Sequence, residues 1–422
     1  MNKIAAGTDL IFREENPDGV TAADIVVVVP SYKEAPHIGL PVKKASLGLT
    51  KHYPQLRSVI INCDNCSDDG TEAAFFNAES EVPRIYVSSP PGVRGKGANL
   101  VNAFRKAAAL SPRAVLMLDA NLLSVKTTWI PRLADPILNG TAEYVSPIYV
   151  RHKYDGPISR GLATPLLRAL FGRRVLQPIH VDHAFSGRLN EIYLNSDWDL
   201  DDRGYKSDMF MLATAIMNNA PVCQSFLAYP RTTTLKKLDY DLSRSFSHVA
   251  GALFRLMLET DNFWTNLSRT RPTIMACGDD EPQMPPPQVE LQPEALTETF
   301  LASGRAQQGR WAEFMPPDLC EFLESQLTLA ANGGMPVIPM YWWRAAVFEA
   351  ALAFKRAGSA PEPEARRDAV TAALAPLFVL RMLTVYTDST QMTERQYNAL
   401  LEDEALSFEN GKKELTERWK NS

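Results

Sequence analysis

The stretch "AVLMLDAN" ends an apolar run on Asp119, Ala120 and Asn121, an acid and an amide two residues apart. Hard oxygen donors at that spacing could hold Mg2+ or Mn2+, and the ion could neutralise a departing diphosphate. Asn121 offers only a neutral carbonyl oxygen, so the ion would be bound weakly. Earlier in the chain, "PGVRGKGANL" sets Lys96 between Gly95 and Gly97 at the entrance to a helical pattern, with Arg94 beside them. Glycines there let the backbone approach a phosphate, and the lysine adds a point charge to the helix N-terminal field. The spacing of a P-loop is absent, and a plain surface loop would use the same residues.

Other candidates follow the same logic. In "NCDNCSDDGT", Asp64 could accept hydrogen bonds from a base or ribose, while Ser67 and Asp68 could cap the helix that begins near Thr71. "VVVVPSYKE" carries Pro30, Tyr32 and Glu34 over the end of an apolar run. "DWDLDDRGYKSDMFML" places Asp197, Asp199, Asp201 and Asp202 in a solvated acidic loop. Asp208 follows in the first turn of an apolar helix, where it could cap the helix or face a pocket. In "VLQPIHVDHAF", strand alternation would turn His183 away from His180 and Asp182, which favours a structural or acceptor-binding role over a shared ion. Cys63 and Cys66 form a C-x-x-C with no second pair, so neither zinc nor redox use is expected.

These residues need a scaffold that brings them together. From residue 24 to about 150, β-branched runs alternate with helical patterns, and the runs lack polar alternation. Strands of that kind are buried on both faces, which predicts a mostly parallel sheet covered by helices. In such a fold ligands bind beyond the carboxyl ends of the strands, where the polar residues above fall. The proline cluster in "CGDDEPQMPPPQVELQPEA" interrupts the pattern. The expected organisation is an α/β domain over 1–276, a proline-rich linker over 277–295 and an all-helical unit over 296–422. Trp342 and Trp343 lie in a helical stripe of that last unit and suit its core.

With 44 basic and 49 acidic side chains the formal charge is −5, which gives no global field for nucleic acid. No run reaches ~18 uninterrupted apolar residues, so no integral membrane segment is expected. The N-terminus lacks an apolar signal core, and five scattered cysteines do not form a disulfide framework. A cytoplasmic protein is the expectation.

Taken in order, "VVVPSYKE", "NCDNCSDDGT", "GVRGKGANLVNAF", "LMLDAN", "QPIHVDHAFSGR" and "GYKSDMFML" resemble the series found in GT-A glycosyltransferases. The likeness is greatest to the mannosylglycerate and glucosyl-3-phosphoglycerate synthases, and runs from about residue 24 to 245. It implies a GT-A fold, Rossmann-like with a mostly parallel sheet. It also implies a retaining hexosyltransferase using a UDP- or GDP-hexose, a divalent cation, and a small anionic acceptor such as glycerate or 3-phosphoglycerate. The product would be a glucosylglycerate or mannosylglycerate, of the compatible-solute kind. By resemblance, Pro30, Tyr32, Glu34 and Asp64 would hold the nucleoside. Gly95, Lys96 and Gly97 would hold phosphate, and Asp119, Ala120 and Asn121 the metal-diphosphate. Arg151, Asp155 and Asp182 would receive the acceptor, and Asp208 would stand near the reacting sugar with Lys96.

Three departures stand out. Asn121 replaces an aspartate, the family's later histidine ligand falls near Thr233, and its Gly-Gly-Glu is here His180, Val181 and Asp182. They keep open a catalytically weak or inactive relative that only binds nucleotide-sugar. A third reading is an inverting transferase acting on a polyprenyl phosphate. Apolar stripes on the C-terminal helices would suit a homodimer.

Overall fold

The computed structural model describes residues 3–4, 9–93, 95–199, 205–232, 242–277 and 284–422. Arg94, Asp201, Asp202 and Thr233 lie outside the described residues. The chain forms two compact units. The first comprises Met1–Arg151, Gln177–Lys236 and Pro272–Pro287, and the second His152–Leu176, Lys237–Arg271 and Gln288–Ser422. The chain thus passes between units several times, whereas composition alone points to one crossing near residue 276. The early segments of the second unit form helices that pack on its C-terminal helices.

The first unit is built on strands β1 (Lys3–Ile4), β2 (Arg13–Glu15), β3 (Ile25–Ser31), β4 (Ser58–Asp64), β5 (Arg84–Ser88) and β6 (Ala114–Met117). They are followed by β7 (Tyr144–Val150), β8 (His183–Ser186), β9 (Trp198–Asp199), β10 (Val222–Pro230) and β11 (Ile274–Cys277). Nine of them form one sheet in the order β11-β10-β7-β8-β6-β3-β4-β5-β2, while β1 and β9 pair separately. β3 runs parallel to both β4 and β6, and β4 runs parallel to β5. β8 is antiparallel to β6 and β7. The mostly parallel GT-A-like sheet is therefore as expected, with an inserted antiparallel strand.

The valine run of β3 explains its central place. Ile25, Val27 and Val29 pack into one core with Val42, Leu49, Trp129 and Leu133 from the helices Gly39–His52 and Trp129–Leu138. Val26 and Val28 face the other way and are equally buried. At Gly48 a Cβ would lie 2.8 Å from the Thr127 carbonyl, so glycine permits the close approach of that first helix.

The second unit is helical. Its apolar Pro363–Ser389 helix packs among Leu242–Glu259, Pro293–Trp311 and Met340–Ala357. Phe246 stacks on Phe378 with centroids 4.4 Å apart, and Trp343 is fully buried. Among the described residues Pro363–Ser389 is the one helix long and apolar enough to cross a membrane, and most of its apolar window is buried in the unit. Arg168 on the Thr164–Phe171 helix binds Glu402 at 2.6 Å and Glu409 at 2.9 Å on Glu394–Lys420.

Candidate active site

The ends of β3 and β4 are tied to each other. Asp64 is fully buried and accepts from Ser31 Oγ (2.7 Å), Ser67 N (2.6 Å), Ser67 Oγ (2.8 Å) and Tyr86 Oη (3.1 Å). Its carboxylate organises the two loops, and burial together with its charge raises the Tyr86 phenol above the ordinary range. Lys33 N donates to Ser67 Oγ at 2.8 Å, and Glu34 N donates to Thr71 Oγ1 at 3.0 Å. Lys33 and Cys66 adopt φ of 57° and 52°, left-handed values that non-glycine residues hold only when the surroundings demand it. Such strained loops gather at binding sites. Pro30 lies within β3 and Tyr32 just beyond it, so the first motif places its residues at the strand end. Cys63 is buried in β4, and burial pushes its thiol up, which removes it from redox use.

Gly95, with φ 111°, turns the chain into the Lys96–Leu110 helix and accepts from Asn65 Nδ2 at 3.0 Å. Gly97 is buried and Asn99 Nδ2 donates to the Ser31 carbonyl at 2.9 Å, which locks the helix start onto β3. Lys96 Nζ contacts Asp208 Oδ1, joining residues 112 positions apart. Asp208 stands in the first turn of Tyr205–Met217 and is 3% exposed. The helix start and the acid singled out separately in sequence thus form one ion pair.

Beside it lies a neutral aromatic floor. His183 stacks on Tyr144 at 5.6 Å, and His180 and His183 lie 5.2 Å apart. Strand alternation does not separate them, because only His183–Ser186 is extended and the preceding residues curve as a loop. Ser146 Oγ lies 3.0 Å from His180 Nε2. Burial, with the charge of Lys96 added, pushes His183 down to about 3. His180 is driven well below its ordinary value by burial, then by His183, Lys96 and Arg231. Both rings are neutral when folded and gain protons on unfolding. For His183 that stabilisation is full above the unfolded value of ~6.5 and is lost as pH falls from there toward about 3, and His180 contributes in the same direction. Denaturant titrations from pH 7 to 4 should show stability declining below the unfolded histidine value, by about 1.4 kcal/mol per pH unit from His183, with His180 adding to the same slope. His183→Phe should flatten that slope, and an unchanged slope would assign the acid sensitivity to other groups.

Beyond β6, Asp119 receives Arg231, whose Nη2 lies 2.5 Å from Asp119 Oδ2 and whose Nε lies 2.7 Å from Asp182 Oδ2. Asp182 is fully buried and also accepts Tyr149 Oη at 2.6 Å and Asp119 N at 2.8 Å. Its lone pairs are engaged inside the fold, so its place is beneath Asp119, whereas the resemblance puts it among acceptor ligands. Ala120 is buried, and Asn121 N donates to Asp119 Oδ1 at 3.3 Å. Asn121 Oδ1 is buried and accepts no hydrogen bond among the described residues. Arg151 stacks over Tyr149 at 5.7 Å and donates to Gln177 Oε1 at 3.2 Å. Asp155 belongs to the second unit.

Arg231 is the residue at these strand ends that motif reading passes over. It follows the apolar strand "VCQSFLAYP", and the strand-end rule that selects Asp64 and Asp119 would select it too. A divalent cation at β6 would find Asp119 already engaged by a guanidinium, and Asn121 Oδ1 as a neutral donor. Among the described residues no group of three His, Cys, Asp or Glu side chains could hold a metal ion. The described side chains alone therefore do not fit a tightly held ion.

Residues 26–189 match the family described as Glycosyl transferase family 2. The β3-to-β8 core and its strand-end polar residues fall within that match, so this part of the chain is similar to glycosyltransferase domains and carries a GT-A-like sheet. The chain resembles glucosyl-3-phosphoglycerate synthases. One such structure, from Mycobacterium tuberculosis with Mn2+, UDP and glucosyl-3-phosphoglycerate, is 23% identical with TM-score 0.41, covering 56% of this chain and 79% of that one. The same enzyme with Mn2+, UDP-glucose and phosphoglyceric acid is 24% identical with TM-score 0.40, covering 56% and 79%. With Mg2+ and UDP it is 22% identical with TM-score 0.43, covering 56% and 79%. No curated protein matches the chain.

Proposed function

We propose that this chain transfers a hexose from a nucleoside diphosphate sugar to a small anionic hydroxylated acceptor of the glycerate or 3-phosphoglycerate type, with retention of configuration. The observation that carries the reading is the meeting of Lys96 with Asp208 at the strand ends of a family 2 domain. The nucleoside lies against the stitched β3 and β4 loops, near Tyr32 and Glu34. Lys96 and the N-terminus of its helix face the diphosphate. Stabilising the charge of that leaving group is the largest contribution to the rate. Asp208 positions Lys96 and the departing sugar without forming a bond to it, and the acceptor attacks from the face that the diphosphate leaves.

Incubation with UDP- and GDP-hexoses and either D-glycerate or 3-phosphoglycerate tests this, with the product's anomeric configuration read by NMR. Nucleotide binding with neither hydrolysis nor transfer would favour the binding-only relative. Asp119→Ala should lower transfer roughly tenfold or more, and at least as much as Asn121→Ala, because it takes one of the two carboxylates from Arg231 as well as removing the charge at the end of β6. Full activity in Asp119→Ala would move the diphosphate site elsewhere.

A further inference from the structure

Arg231 is held in place by more than its two carboxylates. β10 loses register with β7 between Phe226 and Pro230, and Ala228 within that irregularity has φ 63°. Bulges of this kind re-aim the residues that follow, and they recur beside active sites. The chain is then fixed to the loop after β6: Leu123 N donates to the Thr232 carbonyl at 2.9 Å, and Thr232 N donates to Ser124 Oγ at 3.0 Å. The arginine is therefore delivered to Asp119 by backbone pairing just beyond Asn121.

Its side chain is 19% exposed, and two of the five guanidinium N–H donors are spent on Asp119 and Asp182. Asp182 is further satisfied by Tyr149 and the Asp119 backbone, so the arginine is not consumed in neutralising it alone. A guanidinium presents paired donors that match phosphate oxygens. It stands on the carboxylate where a divalent ion would otherwise sit.

We propose that Arg231 is the built-in cation of the donor site: it meets the diphosphate directly, so that nucleoside diphosphate binds without a divalent ion, and an added ion competes with the guanidinium for Asp119. Asn121 fits this arrangement, because a neutral oxygen beside a fixed guanidinium suits a hydroxyl donor better than it suits a metal. The inference rests on the donor site proposed above.

Calorimetric titration of UDP and GDP into the full chain, once in excess EDTA and once in Mn2+, tests it. One of the two nucleotides should bind in EDTA within roughly threefold of its affinity in Mn2+. Arg231→Gln should weaken that EDTA-resistant binding roughly tenfold or more, the scale of a lost charge-assisted contact. The same variant, titrated with Mn2+ alone and followed by electron paramagnetic resonance, should bind the ion more tightly than the parent does. Where Arg231→Gln fails to fold, Arg231→Lys keeps the charge but loses the fork, and should bind several-fold more weakly in EDTA; undiminished affinity there would overturn the inference. Wild-type binding that requires Mn2+ would overturn it too, while leaving the donor site standing. Binding of neither nucleotide under either condition would overturn the donor site itself, and this inference with it.

Discussion

Changing Asp208 to asparagine should lower hexose transfer roughly a hundredfold or more while nucleoside diphosphate binding is kept or tightened. The side chain is almost fully enclosed and its oxygen contacts Lys96, so the substitution preserves shape and removes charge. Lys96 then contacts a neutral amide in place of a carboxylate, so its charge is less opposed where it meets phosphate. Lys96→Ala should instead lower both binding and transfer, because it removes the positive charge and takes one cationic contact from the enclosed Asp208. The double variant should be no worse than Lys96→Ala, since neighbours that act through one contact are not additive. Steady-state kinetics with calorimetric binding separates the two effects. Full turnover in Asp208→Asn would reduce the pair to a structural lock between two helix starts.

Much of this arrangement is readable in the sequence, for identifiable reasons. The runs "IVVVV" and "VIIN" have no polar alternation, so they had to be buried on both faces, and β3 and β4 are interior strands of the sheet. The strand-end rule then places Tyr32, Asp64 and Asp119, and the glycines around Lys96 place it at a helix start, without knowledge of their contacts. What it does not supply is which carboxylates are already occupied. Asp64 and Asp182 look alike on paper to Asp119, yet each is saturated by protein donors supplied from distant parts of the chain.

β8 is the element that periodicity cannot find. Its four residues, "HAFS", are too short for an alternation to register, and their burial is set by insertion between β6 and β7. That insertion brings His183 beside His180 and Tyr144, contrary to the alternation expected along an extended strand. Arg231 escapes for a related reason. Its partners lie 112 and 49 residues away, and only the irregularity in β10 carries it to them.

Removal of the Asp182 carboxylate should be the most damaging single change to stability in the first unit. Asp182→Ala deletes an acceptor that serves Tyr149 Oη, Arg231 Nε and Asp119 N together, within an environment that excludes water. Breaking one side of a buried ion pair typically costs about 3–5 kcal/mol, because the remaining charge stays enclosed and unmatched. Here the loss is moderated by Asp119, which still binds Arg231 through Nη2. Asp182→Asn should therefore be milder than Asp182→Ala, as its carbonyl oxygen can retain one of the donors. Adding Tyr149→Phe to Asp182→Ala should cost little more, since it removes a hydroxyl that has already lost its acceptor. Denaturation followed by tryptophan fluorescence, with Trp129 buried in the first unit, provides the measurement. Equal stability of Asp182→Ala and the parent would mean that Arg231 is held by Asp119 and the β10 backbone alone, and the carboxylate beneath them would then be free to serve a ligand.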